Sequence, residues 1–162
     1  MTTRVGYRQL IDEAMARIKT IGVDEATALL GNDDVIFVDL RDVRELDKTG
    51  IIPGAVHAPR GMLEFWVDPN SPYHRDVFSS GKRFVFYCAA GWRSALATDT
   101  VRRMGLESVC HIDGGFGAWK KAGAKTTPFP LTSKLKPKPK PKLEWLQQLR
   151  RLLRWCGARD VS

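Results

Sequence analysis

Short apolar runs alternate with helix-forming segments along the first three quarters of the chain. Four runs have the length of β-strands: residues 35–39, 55–57, 84–87 and 109–112. Four segments have apolar residues at helical spacing: residues 7–19, 23–30, 94–104 and 116–122. Asp24 is predicted to cap the second of these helices, and Gly31 to end it. Because continuous apolar strands that alternate with helices are typical of buried parallel sheets, the pattern predicts an α/β fold with helices on both faces.

The pattern changes after residue 123. Residues 134–142 are largely an alternation of Lys and Pro, which favours an extended, charged spacer. Residues 143–156 return to helix formers, with apolar residues on one side and arginines on the other. We therefore predict four parts: an N-terminal helix that packs on the domain (1–19), an α/β domain (20–123), a Lys/Pro-rich linker (124–142), and a basic amphipathic helix with a tail (143–162).

Charge follows the same division. The 162-residue chain has 26 Lys and Arg against 18 Asp and Glu, a net charge of +8. Residues 1–123 contain 16 basic and 16 acidic residues, so the whole excess lies in residues 124–162, with 10 basic and 2 acidic residues. The domain is therefore neutral, and the charge does not indicate a basic, nucleic-acid-binding fold.

Several other classes of protein are excluded at this stage. No apolar run approaches the roughly 18 residues that a membrane-spanning helix needs, and the first residues do not resemble a secretory signal. The three cysteines, Cys88, Cys110 and Cys156, form no CxxC pair, which disfavours a disulfide scaffold or a zinc site. We expect a cytoplasmic protein, with attachment to the inner face of a membrane as an option.

The strongest chemical signal is the segment 84–93, a buried strand that ends on Cys88, followed by a turn and a helix. Ligands of open α/β sheets bind at this edge of the sheet. Backbone N–H groups in the turn and at the helix start favour a thiolate over a thiol. A cysteine at the end of an apolar strand is often only a small buried side chain, but Gly91 and Arg93 favour a nucleophile in an anion-binding turn.

Four segments in order resemble the rhodanese-like (sulfurtransferase) family. They are residues 38–46 (VDLRDVREL), 50–59 (GIIPGAVHAP, with Ile51 where His is usual), 87–94 (YCAAGWRS) and 113–119 (DGGFGAW). The resemblance covers about residues 20–123. It implies a rhodanese-like fold and a sulfurtransferase that moves a sulfane sulfur from thiosulfate or a persulfide to a thiophilic acceptor.

The resemblance also assigns roles to residues. Cys88 carries the persulfide, and no metal or organic cofactor is implied. The residues expected around the persulfide are Ala89, Ala90, Gly91, Trp92, Arg93 and Ser94. Asp39 and Arg41 are candidate supporting residues, although a structural ion pair is the preferred interpretation of them.

Two alternatives stay open beside sulfur transfer. Phosphatases and arsenate reductases of this fold usually have Cys-x5-Arg, whereas Cys88 and Arg93 form the shorter Cys-x4-Arg, so the sequence favours sulfur over a tetrahedral oxyanion. A non-catalytic binding module is the other alternative. Arg93 is the only charged residue of the loop, which favours a protein or low-molecular persulfide as donor. The expected acceptor is a thiol.

The remaining candidates are weaker. His57 and His111 lie in strands and are expected in the core or in hydrogen bonds, whereas His74, in a polar loop, is a minor candidate for proton transfer. Cys110 is expected to be inert, and Cys156 to make an apolar contact. Residues 62–74 are interpreted as packing more than as a pocket wall.

The basic helix at residues 143–156 has three interpretations. It could bind an anionic membrane surface, a partner helix, or only solvent. Nucleic-acid binding is disfavoured, because no aromatic residues interleave with the lysines.

Overall fold

The fold is built on one five-stranded, all-parallel sheet. The computed structural model describes residues 4–129. The strands are β1 (Lys19–Ile21), β2 (Val35–Asp39), β3 (Val56–His57), β4 (Arg83–Tyr87) and β5 (Val109–Ile112), in the order β1-β5-β4-β2-β3. The helices are α1 (Tyr7–Met15), α2 (Val23–Ala28), α3 (Val43–Thr49), α4 (Leu63–Val67), α5 (Trp92–Arg103) and α6 (Gly115–Lys121). Short 3-10 turns lie at Arg60–Met62 and Asp76–Ser79. The predicted α/β class is confirmed.

Two apolar cores lie on opposite faces of the sheet, because successive side chains of a strand point to opposite sides. In β4, Val85 and Tyr87 belong to a core that α2, α3 and α6 cover. Phe84, Phe86 and the following Cys88 belong to the other core, which contains residues of α4 and α5. The central strands are therefore buried on both faces, as the continuous apolar runs predicted.

The N-terminal region differs from the prediction of one helix over residues 7–19. Helix α1 ends at Met15, and Lys19 begins β1, which pairs with β5. Helix α1 nevertheless packs against α5, and the Arg17 guanidinium donates to both carboxylate oxygens of Asp99, at 2.9 and 3.0 Å. A three-residue strand that also carries polar side chains leaves too short a pattern to distinguish it from the end of a helix.

Three further differences concern helices. Gly22, and not Asp24, is the N-cap of α2, without a side-chain cap. Helix α3 was not predicted, although Asp42 and Glu45 form a capping box at its start. Helix α4 was not predicted either, and within the segment 62–74 it buries Leu63 and Val67 in the core while Phe65 stays exposed.

Residues 124–129 correct the predicted start of the linker, because they pack on the domain. Thr127 pairs with Ile51 in an antiparallel bridge, the Trp119 indole N–H donates to the Lys125 carbonyl at 2.8 Å, and Phe129 packs on His57. The predictions for residues 130–162, including the basic helix and Cys156, lie outside the described residues. Within residues 4–129, no helix is both long and apolar enough to cross a membrane.

Candidate active site

Cys88 directly follows β4, at the carboxyl end of the sheet. Its side chain is 2% exposed and packs in the core that includes Phe86 and Ala97. The next two residues, Ala89 and Ala90, form an open turn that is half-buried and then exposed. Gly91 ends the turn and is the N-cap of α5, so the sulfur lies beside the start of a twelve-residue helix. The field of the helix N-terminus favours negative charge on this sulfur.

The backbone of the loop presents its N–H groups to the site. Gly91 has φ +88°, a conformation that glycine adopts without strain and that turns the chain into α5. Within residues 4–129, no protein acceptor pairs with the amide N–H groups of residues 89–93. Successive N–H groups in a tight turn can form a concave anion-binding surface.

Gly114 and Gly115 support the loop from below. The amides of Phe116 and Gly117 donate to the carbonyls of Cys88 and Ala89 at 2.7 and 2.9 Å, so the loop carbonyls point away from the site. A side chain on Gly115 would collide with the Cys88 carbonyl oxygen and lie 2.9 Å from the Gly91 nitrogen. Gly115 therefore lets the start of α6 approach the loop closely, whereas a side chain on Gly114 would collide with Ala118 within α6.

Arg93 is held by Glu45, a residue for which the sequence analysis gave no role. Two nitrogens of the Arg93 guanidinium group donate to the two carboxylate oxygens of Glu45, at 2.8 Å each. This pairing raises the pKa of Arg93 and lowers the pKa of Glu45. The positive charge that was predicted to bind an oxyanion is thus largely compensated. The Asp42-x-x-Glu45 capping box could have indicated where Glu45 lies, but not its partner.

Asp39 and Arg41 form a buried ion pair under the edge of the sheet. The Arg41 guanidinium donates to Asp39 at 2.6 Å, to the Thr49 hydroxyl at 2.8 Å and to the Gly50 carbonyl at 2.7 Å. It also lies 3.9 Å from the centre of the Phe116 ring. Arg41 therefore ties β2, α3 and α6 together. Its contacts are those of a structural residue, and they place neither Asp39 nor Arg41 against Cys88.

Ser94 and Trp92 have opposite positions in the first turn of α5. The Ser94 hydroxyl is fully buried, 3.0 Å from the Gly91 carbonyl and 3.7 Å from the Cys88 sulfur, and it can donate its one proton to either of them. Trp92 is 55% exposed, and its ring packs on Tyr7 of α1 at 5.5 Å between centroids. Of the two, Ser94 contacts the sulfur from inside the protein, and Trp92 lies on the outer rim.

A cleft of about 300 Å³ adjoins the loop on the side of α3 and α6. Its lining residues include Glu45, Lys48, Ala89, Phe116 and Lys120. A larger cavity of about 590 Å³ lies between α2 and the end of α6, and no residue of the loop lines it. Because Ala89 directly follows Cys88, the smaller cleft is the one related to the chemistry.

Three sequence-predicted candidates lie elsewhere. The His74 ring is within 2.9 Å of the Ser79 hydroxyl, and the His57 ring is within 2.8 Å of the Arg41 carbonyl, so both take part in local hydrogen bonds. Cys110 is buried in the middle of β5. Within residues 4–129, no group of three or more His, Cys, Asp and Glu side chains converges in a way that could hold a metal ion.

The sequence model of the Rhodanese-like domain family matches residues 22–122. Thiosulfate sulfurtransferase/rhodanese-like domain-containing protein 3 of Mus musculus is 32% identical over 106 residues, which are 62% of this chain and 68% of the mouse protein. The tRNA uridine(34) hydroxylase of Cronobacter sakazakii is 30% identical over 95 residues, 56% of this chain but only 25% of the hydroxylase.

A solved structure from Rhodopseudomonas palustris, described as a protein of unknown function and "possible tyrosine phosphatase", is also similar. It is 50% identical, with a TM-score of 0.77, and the match covers 78% of this chain and 98% of the other. The similarity to these three proteins lies in the domain that holds Cys88, and their descriptions name different activities.

Proposed function

The chain belongs to the rhodanese-like domain family, and we propose that it is a sulfurtransferase in which Cys88 carries the transferred sulfur. The Cys88 thiolate attacks the outer sulfur of the donor. With thiosulfate, the S–S bond breaks, sulfite leaves with the electron pair, and a Cys88 persulfide anion is left. The thiolate of an acceptor then attacks the terminal sulfur and releases Cys88 as a thiolate. Each step moves one neutral sulfur atom, so no external oxidant or reductant is needed.

The observation that carries this proposal is the free N–H surface of residues 89–93 around Cys88. The two negatively charged states of the cycle are a thiolate and a persulfide anion, and both are stabilised by N–H dipoles that are already oriented. The Cys-x4-Arg spacing of Cys88 and Arg93 keeps this surface small. A single sulfur atom needs less room than a phosphate group with its three further oxygens, so the spacing supports sulfur transfer.

We further propose a persulfide, on a protein or a small thiol, as the donor in preference to thiosulfate. Thiosulfate carries two negative charges, and a site that uses it well needs cations that are not already neutralised. Arg93 is paired with Glu45, and Arg41 with Asp39. Lys48 and Lys120, which form no salt bridge within residues 4–129, line the cleft beside the loop, but both are exposed to solvent.

Intact-mass spectrometry tests the proposal directly. Treatment with a persulfide donor, such as glutathione persulfide, should add about 32 Da, the mass of one sulfur atom, and a thiol acceptor should remove it. Cys88→Ser should show no gain, while the matched variant Cys110→Ser should behave as the wild type. Absence of the gain with both persulfide and thiosulfate would refute the proposal.

An oxyanion-handling activity is the second candidate, because the Rhodopseudomonas palustris neighbour is described as a possible tyrosine phosphatase at 50% identity. The same loop could hold a phosphoryl group only by widening, since Arg93 and Glu45 would have to separate. Hydrolysis of an aryl phosphate by wild type, lost in Cys88→Ser and not accompanied by any sulfur transfer, would favour this candidate. Sulfur transfer without phosphate release would exclude it.

A further inference from the structure

A chain of buried hydrogen bonds leads away from Cys88 on the side opposite to the loop. The Ser94 hydroxyl lies 3.7 Å from the Cys88 sulfur and 3.3 Å from Nδ1 of His111. The other ring nitrogen of His111, Nε2, lies 3.0 Å from the Thr20 hydroxyl. Sulfur transfer as described above uses Cys88 and the loop amides, and gives no role to His111 or Thr20.

The sheet register explains why these side chains meet. Thr20 and His111 are directly paired between the parallel strands β1 and β5, so their side chains share one face of the sheet. This is the face that α5 covers, and Ser94 lies in the first turn of α5. Ser94, His111 and Cys88 are each at most 2% exposed, so their hydrogen-bond partners are protein groups and not bulk water.

The number of protons in this chain limits the possible arrangements. Burial lowers the pKa of His111, so the imidazole is neutral at physiological pH and has one N–H. Ser94 also has one proton, for which the Cys88 sulfur, the Gly91 carbonyl at 3.0 Å and an unprotonated Nδ1 of His111 compete. Which nitrogen of His111 has the proton therefore decides whether Nδ1 withdraws the Ser94 proton from the sulfur.

The Thr20 hydroxyl can pair with Nε2 of His111 in either tautomer. The hydroxyl can donate to Nε2, which places the imidazole proton on Nδ1, and Nδ1 then donates to the Ser94 oxygen. In the other tautomer, Nε2 donates to Thr20 and Nδ1 accepts the Ser94 proton. A negative sulfur shifts this balance, because a hydrogen bond to a charged acceptor is stronger than one to a neutral imidazole.

We infer that His111 is a positioning residue which, in its Nδ1-protonated form, directs the Ser94 hydroxyl proton to the Cys88 sulfur. Ser94 then stabilises the thiolate, and the inner sulfur of the persulfide, from inside the protein while the loop amides act from outside. No proton leaves Ser94 or His111 in this arrangement. The inference rests on the proposed function only in taking Cys88 as the reactive group.

Few charged groups lie close to the hydrogen bonds that join Cys88, Ser94, His111 and Thr20. Asp113 is an exposed residue two positions after His111. Its negative charge raises the pKa of His111 and so acts against the effect of burial. Arg93 is the charged group whose own pKa responds to Cys88. Variants of Ser94 and His111 leave both groups in place, so their effects on Cys88 report on the hydrogen-bond chain.

The test is the pH profile of Cys88 alkylation by iodoacetamide, followed by peptide mass mapping on the full chain. Ser94→Ala removes the donor and should move the midpoint of the profile up by about one pH unit. Thr98→Val is the matched control, because the Thr98 hydroxyl lies one turn along α5, is fully buried and has no hydrogen-bond partner within residues 4–129. Equal midpoints for Ser94→Ala and Thr98→Val would overturn the inference.

Two amide variants separate a positioning role from a merely structural one. In His111→Asn the amide nitrogen replaces Nδ1 and can still donate to Ser94, so the midpoint should stay near that of the wild type. In His111→Gln the amide lies where Nε2 was, Ser94 loses its donor, and the midpoint should rise toward that of Ser94→Ala. Equal midpoints for the two variants would overturn the role of the tautomer.

The alkylation profile needs no sulfur donor, so it distinguishes failure of this inference from failure of the proposed function. A normal shift in Ser94→Ala together with no sulfur transfer by the wild type would keep the inference and refute the sulfurtransferase. If circular dichroism shows that the His111 variants do not fold, the comparison of Ser94→Ala with Thr98→Val still decides whether the Ser94 hydroxyl stabilises the Cys88 thiolate.

Discussion

Cys88, directly after β4, and Cys110, in the neighbouring strand β5, are both almost fully buried, yet their surroundings differ in kind. Cys110 is in the middle of β5, paired with Val85 of β4, on the opposite face from Cys88. Its thiol lies 3.7 Å from the Phe84 carbonyl and accepts a bond from Arg83 at 3.6 Å. Burial nevertheless raises the pKa of Cys110. Cys88 has a cation nearby as well, but this residue, Arg93, is paired with Glu45. Cys88 differs from Cys110 in lying beside five backbone N–H groups that have no protein acceptor within residues 4–129.

From this comparison we expect that a position at the end of a strand activates a cysteine more than a nearby cation does. A residue in mid-strand has its backbone N–H groups used in the sheet ladder, so they cannot solvate a sulfur anion. One residue beyond the strand, the same groups are free and the helix start adds its field. Arg83 next to Cys110 does not compensate for the lost water. We therefore expect changes to the loop backbone to affect Cys88 chemistry more than changes to side-chain charge.

Gly115→Ala should have the largest effect. The new methyl group would collide with the Cys88 carbonyl and the Gly91 amide, and φ +57° adds backbone strain. Displacing the loop by about 1 Å should lower the rate of sulfur transfer about 100-fold. The expected loss in free energy of unfolding, measured by urea denaturation, is about 3 kcal/mol.

Gly81→Ala is the matched control for Gly115→Ala. Gly81 has a similar φ of +71°, but a methyl group there meets no atom within 4 Å. The Gly81→Ala substitution should lower the free energy of unfolding by about 1 kcal/mol through backbone strain alone, and it should leave sulfur transfer intact. Equal rates for the two variants would show that the close approach of α6 does not shape the site.

Much of this site could be predicted from the sequence, because its signals are local. An apolar strand that ends on Cys88, a glycine three residues later and a helical pattern from Ser94 onward together indicate a strand–turn–helix unit. The DGG segment before Phe116 matched a family pattern, but only the three-dimensional structure explains why glycine is needed there. Gly115 must be small because the Cys88 carbonyl lies against it, 27 positions back along the chain.

The contacts that join distant segments could not be predicted. Glu45 binds Arg93 across 48 residues, and His111 meets Ser94 across 17 residues. Thr20 meets His111 only because β1 pairs with β5. The strand β1 itself was interpreted as the end of a helix, so the partner of His111 had no place in the predicted sheet. Periodicity reports on which face a residue takes, and not on which residue of another element it meets.

Glu45→Gln tests the role of charge at the Cys88 loop. The amide keeps a group beside Arg93 but removes the negative charge, so the guanidinium becomes available to an anionic donor. We expect the KM for thiosulfate to fall about fivefold, with little change for an uncharged persulfide donor. The folded-state pKa of Glu45 is lowered, so the pair is intact above the ordinary carboxyl range and weakens only as pH falls through that lowered value. The effect should therefore be constant between about pH 6 and 8.

Glu64→Gln is the control for charge removal alone. Glu64 pairs with Arg60 at 2.6 Å, at an exposure close to that of the Glu45–Arg93 pair. The Glu64→Gln substitution should leave the KM for thiosulfate unchanged. A similar fall in both variants would mean that overall charge, and not the release of Arg93, determines the use of thiosulfate.

Cys110→Ala should have the smallest effect on chemistry and completes the comparison. The thiol fills space in the core and contacts Arg83 and Phe84, so its loss should lower the free energy of unfolding by about 1 kcal/mol. Sulfur transfer should equal that of the wild type. In the wild type at about pH 8, peptide mapping after iodoacetamide treatment should find Cys88 modified and Cys110 unmodified, because the raised pKa of Cys110 keeps its thiol protonated. Rapid alkylation of Cys110 in the folded protein would contradict the comparison, since it would mean that a mid-strand thiol beside Arg83 is as reactive as one at the loop.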